Sequence, residues 1–215
     1  MIRIVAVSGS PVKDGNTEAY LQEALRETAS DPEIQRWVFR LGELEIVSCR
    51  HCNWCVKNQT PEKFCMIDDG MVKLYPTLLL ADIIILATPV HICRMSGLMA
   101  NMIDRMRVFT YGNVHSGRLK NKVGGALVVA FFRHGGLETT LSLLNQTFTL
   151  FQMIGVGCGG MAVTSTHGTG KIIPGQRHMV LEDTYGISSA SQMIQRAVEI
   201  ARIMDAGKKA LHIAG

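Results

Sequence analysis

Short apolar runs alternate along this chain with longer segments whose apolar positions recur every three or four residues. Five runs read as strands: Ile2–Val7, Ile34–Phe39, Ile83–Ala87, Val123–Phe131 and Gly155–Val163. Helical spacing covers Thr17–Glu27, Met71–Ala81, Gly97–Met106, Leu137–Met153 and Ser189–Ala206. Strand and helix taking turns in this way predict an α/β three-layer sandwich, a five-stranded parallel sheet with helices on both faces. Pro76 falls inside the second helix and predicts a kink or a late start, because it lacks an N–H and crowds the preceding turn. The stretch from Leu41 to Gly70, after the second strand, is too long for an ordinary connection, and loops of that length usually carry function. Thr164 to Gly186, rich in Gly, His and Thr, reads as a surface excursion. No internal repeat or linker interrupts the pattern, so residues 1–215 read as one domain.

The bulk numbers remove several classes of function. A chain of 215 residues with 47% hydrophobic content can bury a substantial core. A net charge of only +4 and 6% aromatics give no support to nucleic-acid binding, which wants a basic stripe or stacking platforms. The most apolar stretch, Leu78 to Ala87, is interrupted by Asp82 and is too short to span a bilayer. The N-terminal apolar run is too short for a signal peptide. The expected location is cytoplasmic, away from membranes, where grouped cysteines are metal ligands or redox groups more often than structural disulfides.

That compartment gives the cysteines their meaning. Cys49, Cys52 and Cys55 stand at a strict three-residue step, and Cys65 follows ten residues on. Thiolates bind soft metals, and consecutive C-x2-C turns suit three corners of a [4Fe–4S] cubane, with Cys65 closing the fourth. Structural zinc remains an alternative, although zinc usually draws its ligands as two separated pairs. Cys158 reads as a buried thiol. Cys93 has a possible place near a bound ring.

A second motif follows the first strand. Ser8-Gly9-Ser10-Pro11 leads to Gly15-Asn16-Thr17 and the start of a helix. Free N–H groups, the positive end of the helix dipole and Ser/Thr hydroxyls together make an anion site. Neither G-x-x-x-x-G-K-[ST] nor G-x-G-x-x-G is present, so the loop fits a phosphomonoester such as that of FMN better than a nucleoside triphosphate or a dinucleotide. A plain capped helix, with Asn16 or Thr17 as N-cap, explains the same residues. Ligands of open parallel sheets bind beyond the carboxyl ends of the strands, where two further loops should converge. One holds Thr88, Pro89, Val90, His91, Ile92 and Met95. The other holds Phe132, Arg133, Gly135 and Gly136. His91 and Arg133 also read as ordinary surface residues, and Asp104 with Arg105 as a helix-surface pair. Met95, Met99, Met102 and Met106 have helical spacing and read as core or interface packing.

Taken together, these segments resemble the NADPH-dependent FMN reductase superfamily. The resemblance is carried by Ser8–Pro11 with Gly15–Thr17, by Asp68-Asp69-Gly70-Met71 and by Ala87-Thr88-Pro89-Val90. Ile103-Asp104-Arg105 and Gly135-Gly136-Leu137-Glu138 extend it over roughly residues 2 to 160. The cysteine run narrows the resemblance to the iron–sulfur flavoproteins. It implies a flavodoxin-like fold and a homodimer or homotetramer. Ser8, Ser10, Asn16 and Thr17 would hold the FMN phosphate, aided by Pro11 and Gly15. The Pro89–Ile92 loop, with Thr88 and Met95, would line the flavin, and Phe132–Gly136 would complete the pocket. Cys49, Cys52, Cys55 and Cys65 would ligate a [4Fe–4S] cluster.

The function expected from this combination is electron transfer between a cluster, fed by a ferredoxin-like donor, and FMN, which reduces a two-electron acceptor. No acid–base dyad or nucleophile constellation competes with it, and no catalytic side chain is assigned. The alternatives are a plain FMN or quinone reductase using NAD(P)H, with the cysteines structural or redox-active, and a zinc-stabilised binding module.

Overall fold

The computed structural model describes residues 1–157 and 159–212, so the reading of Cys158 lies outside the described residues. In chain order the strands are β1 (Ile2–Ser8), β2 (Ile34–Arg40), β3 (Ile83–His91), β4 (Arg94–Met95), β5 (Val123–Ala130), β6 (Ile154–Gly155) and β7 (Gly160–Val163). The α-helices are α1 (Asn16–Leu25), α2 (Trp54–Lys57), α3 (Met71–Leu80), α4 (Gly97–Arg105), α5 (Val108–Tyr111), α6 (Leu137–Leu150) and α7 (Thr184–Ala210).

The sheet runs β2-β1-β3-β5-β6 and is parallel along that path. Among the described residues it has seven strands rather than the expected five. The fifth position is shared by β6 and β7, which both pair with β5, and β4 folds back antiparallel on β3. The expected strand Gly155–Val163 breaks because the chain passes through left-handed backbone at Gly157 (φ +58°) and Gly159 (φ +90°). At Gly159 a Cβ would stand 2.5 Å from the carbonyl oxygen of Ala126, so no other residue fits there without a shift.

Both faces of β1, β3 and β5 are buried, which is why they read as unbroken apolar runs. Ile4 and Ala6 of β1 join Tyr20 and Leu21 of α1 and Ala190 and Ile194 of α7 in one layer. Val5 and Val7 face the other way, into a layer with Leu74 of α3 and Met99 and Met102 of α4. The methionine stripe is therefore core. Helix α3 starts at Met71 and runs through Pro76, so the late start does not occur. Helix α7 is longer than expected at both ends, capped by Asp183, whose carboxylate accepts the N–H groups of Gly186 and Val163. Among the described residues no helix is long and apolar enough to cross a membrane.

Candidate functional site

At the carboxyl end of the sheet, β1 runs into the turn before α1 and opposes the ends of β3 and β5 across a cleft of about 390 Å³. That volume is within the usual range for small-molecule and cofactor pockets. Ser10, Pro11, Gly15, Asn16 and Thr17 line it from one side and Pro89, Val90 and His91 from another. Ala19 donates to the carbonyl of Gly15 at 3.0 Å, and the earlier N–H groups of α1, at Asn16 and Thr17, have no acceptor among the described residues. These are the orphan donors of a helix start, backed by the helix dipole.

Two carboxylates stand near this anion-ready loop, and both are balanced. Glu18 is almost fully buried, accepts the N–H of Asp14 at 2.8 Å and pairs with Arg40 at 3.0 Å. Asp14 pairs with Arg177 at 3.0 Å. Without those arginines a bound phosphate would meet two bare negative charges at close quarters.

The cleft is held by a chain of buried hydroxyls. The Ser96 N–H donates to Thr88 Oγ1, Ser96 Oγ donates to the Gly9 carbonyl at 2.6 Å, and it accepts the Met99 N–H as the cap of α4. Thr88 and Ser8 are fully buried, and Ser8 Oγ accepts the Ser10 N–H, so both belong to the wall's framework rather than its surface. The β3–β4 hairpin turns at Ile92 (φ +49°) and Cys93 (φ +60°), a pair of positive angles typical of a tight hairpin but unusual for a β-branched residue. Its tip is pressed against the start of α6. A Cβ on Gly136, itself at φ +100°, would come within 2.6 Å of Cys93 Cα.

Several expected positions lie elsewhere. Met95 is packed into the core, and Ile92 points to solvent with 93% of its surface exposed. Arg133 donates through Nε to the His167 carbonyl and lines a neighbouring cleft, so the β5 loop reaches the first cleft through Phe131 instead. Asn16 Oδ1 is occupied by the Val180 N–H at 2.9 Å, leaving its backbone rather than its side chain for an anion. The excursion at 164–183 supplies Thr164 and Arg177 to the cleft. Sequence reasoning missed Arg177, because nothing local marks a residue that becomes a neighbour only through Asn16 and Asp14.

The cysteine segment is anchored at three points. Arg105 is 1% exposed rather than on the surface, and its ion pair is with Asp69 (2.5 Å), not with its neighbour Asp104. The same guanidinium donates to the carbonyls of Val47 and Ile67, and Asp69 accepts the Val47 and Met71 N–H groups. One buried pair thus joins the two ends of the segment that holds all four cysteines. Burial by itself would raise the Asp69 pKa, but the Arg105 guanidinium and the two N–H donors together hold it below the ordinary value. In the middle, buried Gln59 donates to the Phe64 carbonyl and accepts the N–H groups of Val114 and His115, while Phe64 stacks on His115 and Tyr75. The third anchor is Arg107, 3.1 Å from His51 Nε2 and 2.5 Å from Asn53 Oδ1.

Cys49, Cys52, Cys55 and Cys65 are all free thiols. Burial pushes the Cys55 thiol up, Arg107 draws it down, and Cys65 and Cys49 push it up again. Cys65 Sγ accepts the Ile67 N–H at 3.5 Å, a bond of the type that tunes cluster sulfurs. As a donor set the four thiols fit an iron–sulfur cluster. Among the described residues no group of three or more His, Cys, Asp or Glu side chains is gathered in metal-binding geometry.

Residues 2–168 match the family described as NADPH-dependent FMN reductase. An iron–sulfur flavoprotein of Methanocaldococcus jannaschii is 31% identical over 210 residues, covering 94% of this chain and 99% of that one. Another, from Methanosarcina thermophila, is 28% identical over 207 residues, covering 94% and 97%. Among solved structures, RosB with bound 8-demethyl-8-formylriboflavin-5′-phosphate superposes with a TM-score of 0.75 at 13% identity, covering 96% of this chain and 81% of that one. An NAD(P)H:quinone oxidoreductase from Methanothermobacter marburgensis gives 0.58 at 15% identity, covering 89% and 93%. The two structural likenesses establish the flavodoxin-like fold.

Proposed function

Because the chain belongs to the NADPH-dependent FMN reductase family, and within it to the iron–sulfur flavoproteins, we propose that it passes electrons between a [4Fe–4S] cluster and FMN. It is an FMN-dependent oxidoreductase. The observation that carries the finer reading is the pairing of an anion-ready cleft with a separately anchored run of four free thiols. A cluster exchanges single electrons and FMN one or two, so together they connect a one-electron donor to a two-electron acceptor. Ferredoxin-like proteins are the donor class this requires; NAD(P)H is the alternative reductant, in keeping with the family's description.

The chain's own residues bind, orient and insulate. The N–H groups of Asn16 and Thr17 with the hydroxyls of Ser10 and Thr17 hold the phosphate, and Arg40 and Arg177 cancel the carboxylates beside it. Pro89, Val90 and His91 offer a mostly apolar wall to the flavin, fixed in place by Thr88 and Ser96. Cys49, Cys52, Cys55 and Cys65 ligate the cluster, and Asp69–Arg105 keeps their segment closed. Exposed Ile92 and Phe132 beside the cleft support assembly as a homodimer or homotetramer, and the single sheet shared by both core layers supports one domain.

Thr17→Ala tests the placement of the phosphate. Thr17 is 3% exposed at the start of α1, and losing one hydrogen bond should weaken FMN binding by about 0.5–1.5 kcal/mol, read by fluorescence titration of the flavin. Unchanged affinity would place the phosphate elsewhere.

A further inference from the structure

We propose that Arg107 is the positioning residue of the cysteine turn, holding the backbone on both sides of Cys52 and lending the cluster a fixed positive charge. The proposal rests on the cluster reading given above. Its ground is the geometry around Cys52. The two neighbours of that cysteine, His51 (φ +51°) and Asn53 (φ +59°), both sit in left-handed backbone. Such conformations are sparsely populated by residues other than glycine and persist where surrounding structure imposes them. Arg107 is that structure. Its Nη1 lies 3.1 Å from His51 Nε2 and its Nη2 donates to Asn53 Oδ1 at 2.5 Å, so one planar fork spans the residues before and after Cys52. A guanidinium only donates, so in a hydrogen bond between these two atoms His51 Nε2 is the acceptor.

The fork is itself held from behind. The Arg107 guanidinium lies 4.7 Å from the ring centre of Tyr111, a cation–π contact. Its backbone N–H donates to the Asp104 carbonyl at the end of α4. One donor is left over: Arg107 Nε is buried without a partner among the described residues. A buried unpaired N–H calls for an explanation. A negatively charged group bound within the cysteine turn is the acceptor this arrangement lacks. A lysine would supply charge but not the fork, since an ammonium is a point charge and cannot span His51 and Asn53 in a fixed plane. A positive group near a cluster favours the more negative, reduced state, so Arg107 raises the cluster's potential.

The test uses the full chain with Arg107→Gln and Arg107→Lys, reconstituted with iron, sulfide and FMN without oxygen. We expect Arg107→Gln to hold less cluster and to show a midpoint shifted negative in an EPR redox titration. Arg107→Lys should also hold less cluster, with a midpoint nearer the parent's. FMN affinity should stay at the parental value in both. Parental cluster content and midpoint in Arg107→Gln would overturn the proposal, and so would a loss of FMN and stability in step with the cluster, which marks a general packing role. If the parent takes up no cluster, the functional reading fails, and Cd²⁺ binding to the metal-free thiols judges Arg107 by itself. The charge-transfer absorbance should then report at least roughly tenfold weaker Cd²⁺ binding in both variants, and equal binding would overturn the positioning role.

Discussion

Asp69→Ala is expected to cost about 3–5 kcal/mol of folding stability, because it leaves the Arg105 guanidinium buried without its counter-charge. Arg105 is 1% exposed and the Asp69 side chain 8%, so water cannot take over the lost contacts. The same change removes the acceptor of the Val47 and Met71 N–H groups, and so frees the start of the cysteine segment and uncaps α3. Urea unfolding monitored by far-ultraviolet dichroism measures the loss, and a cost below about 1 kcal/mol would mean the pair behaves like an exposed one. Asp69→Asn separates charge from shape and carries a pH signature. The folded-state pKa of Asp69 lies below its unfolded value, so the folded protein binds fewer protons on this group. The pair's contribution is therefore fully present above the unfolded value, near pH 4, and is lost as pH falls through the lower, folded value. Parent and Asp69→Asn should differ in stability by a constant amount from pH 5 to 7 and converge in acid. A difference that grows toward acid would contradict the assignment.

Cys52→Ser is expected to abolish the cluster while leaving FMN bound. Cys52 is an exposed free cysteine, so the substitution removes a soft ligand at little cost to the core. The cleft beside the turn before α1 and the two clefts that border Cys49 and Cys65 share no lining residue. The segment is fastened to α3, α4 and the 108–115 region, on the opposite layer from α1. Iron and flavin analysis of the purified variant decides the matter. Iron near zero with parental flavin agrees with two separate sites. Loss of both from folded protein would mean that the thiols support the flavin.

The sheet was legible because β1, β3 and β5 are buried on both faces, which leaves a run of apolar residues with no polar interruption. Helix α3 shows where local rules stop. Pro76 forfeits one backbone bond there, but Leu74, Tyr75 and Leu78 are buried against the sheet, and that packing outweighs the local cost. The seven-strand count was not legible, since β6 and β7 are separated only by a glycine-rich kink and β4 is two residues long.

In the candidate site, the residues next to a strand end were readable, because chain order alone puts Ser10 and Thr17 beside Pro89 and His91. Residues that act across the chain were not. Arg105 looked like half of a surface pair with Asp104, yet its partner is 36 positions away. Arg177 reaches the cleft from 163 residues beyond Asp14, through a segment with no pattern of its own. Arg107 carries no motif at all and gains its role only when the cysteine segment folds back over α5. Ion pairs between distant residues leave no periodicity behind, whereas strand ends do.

The measurement that bears most directly on the central claim is the iron, sulfide, zinc and flavin content of the protein, purified and reconstituted without oxygen, alongside its absorption spectrum. Two redox centres in one chain require about four irons and about four sulfides for each FMN. Flavin with no iron would leave an NAD(P)H-dependent flavin reductase without a cluster, and zinc in place of iron would make the cysteine segment structural.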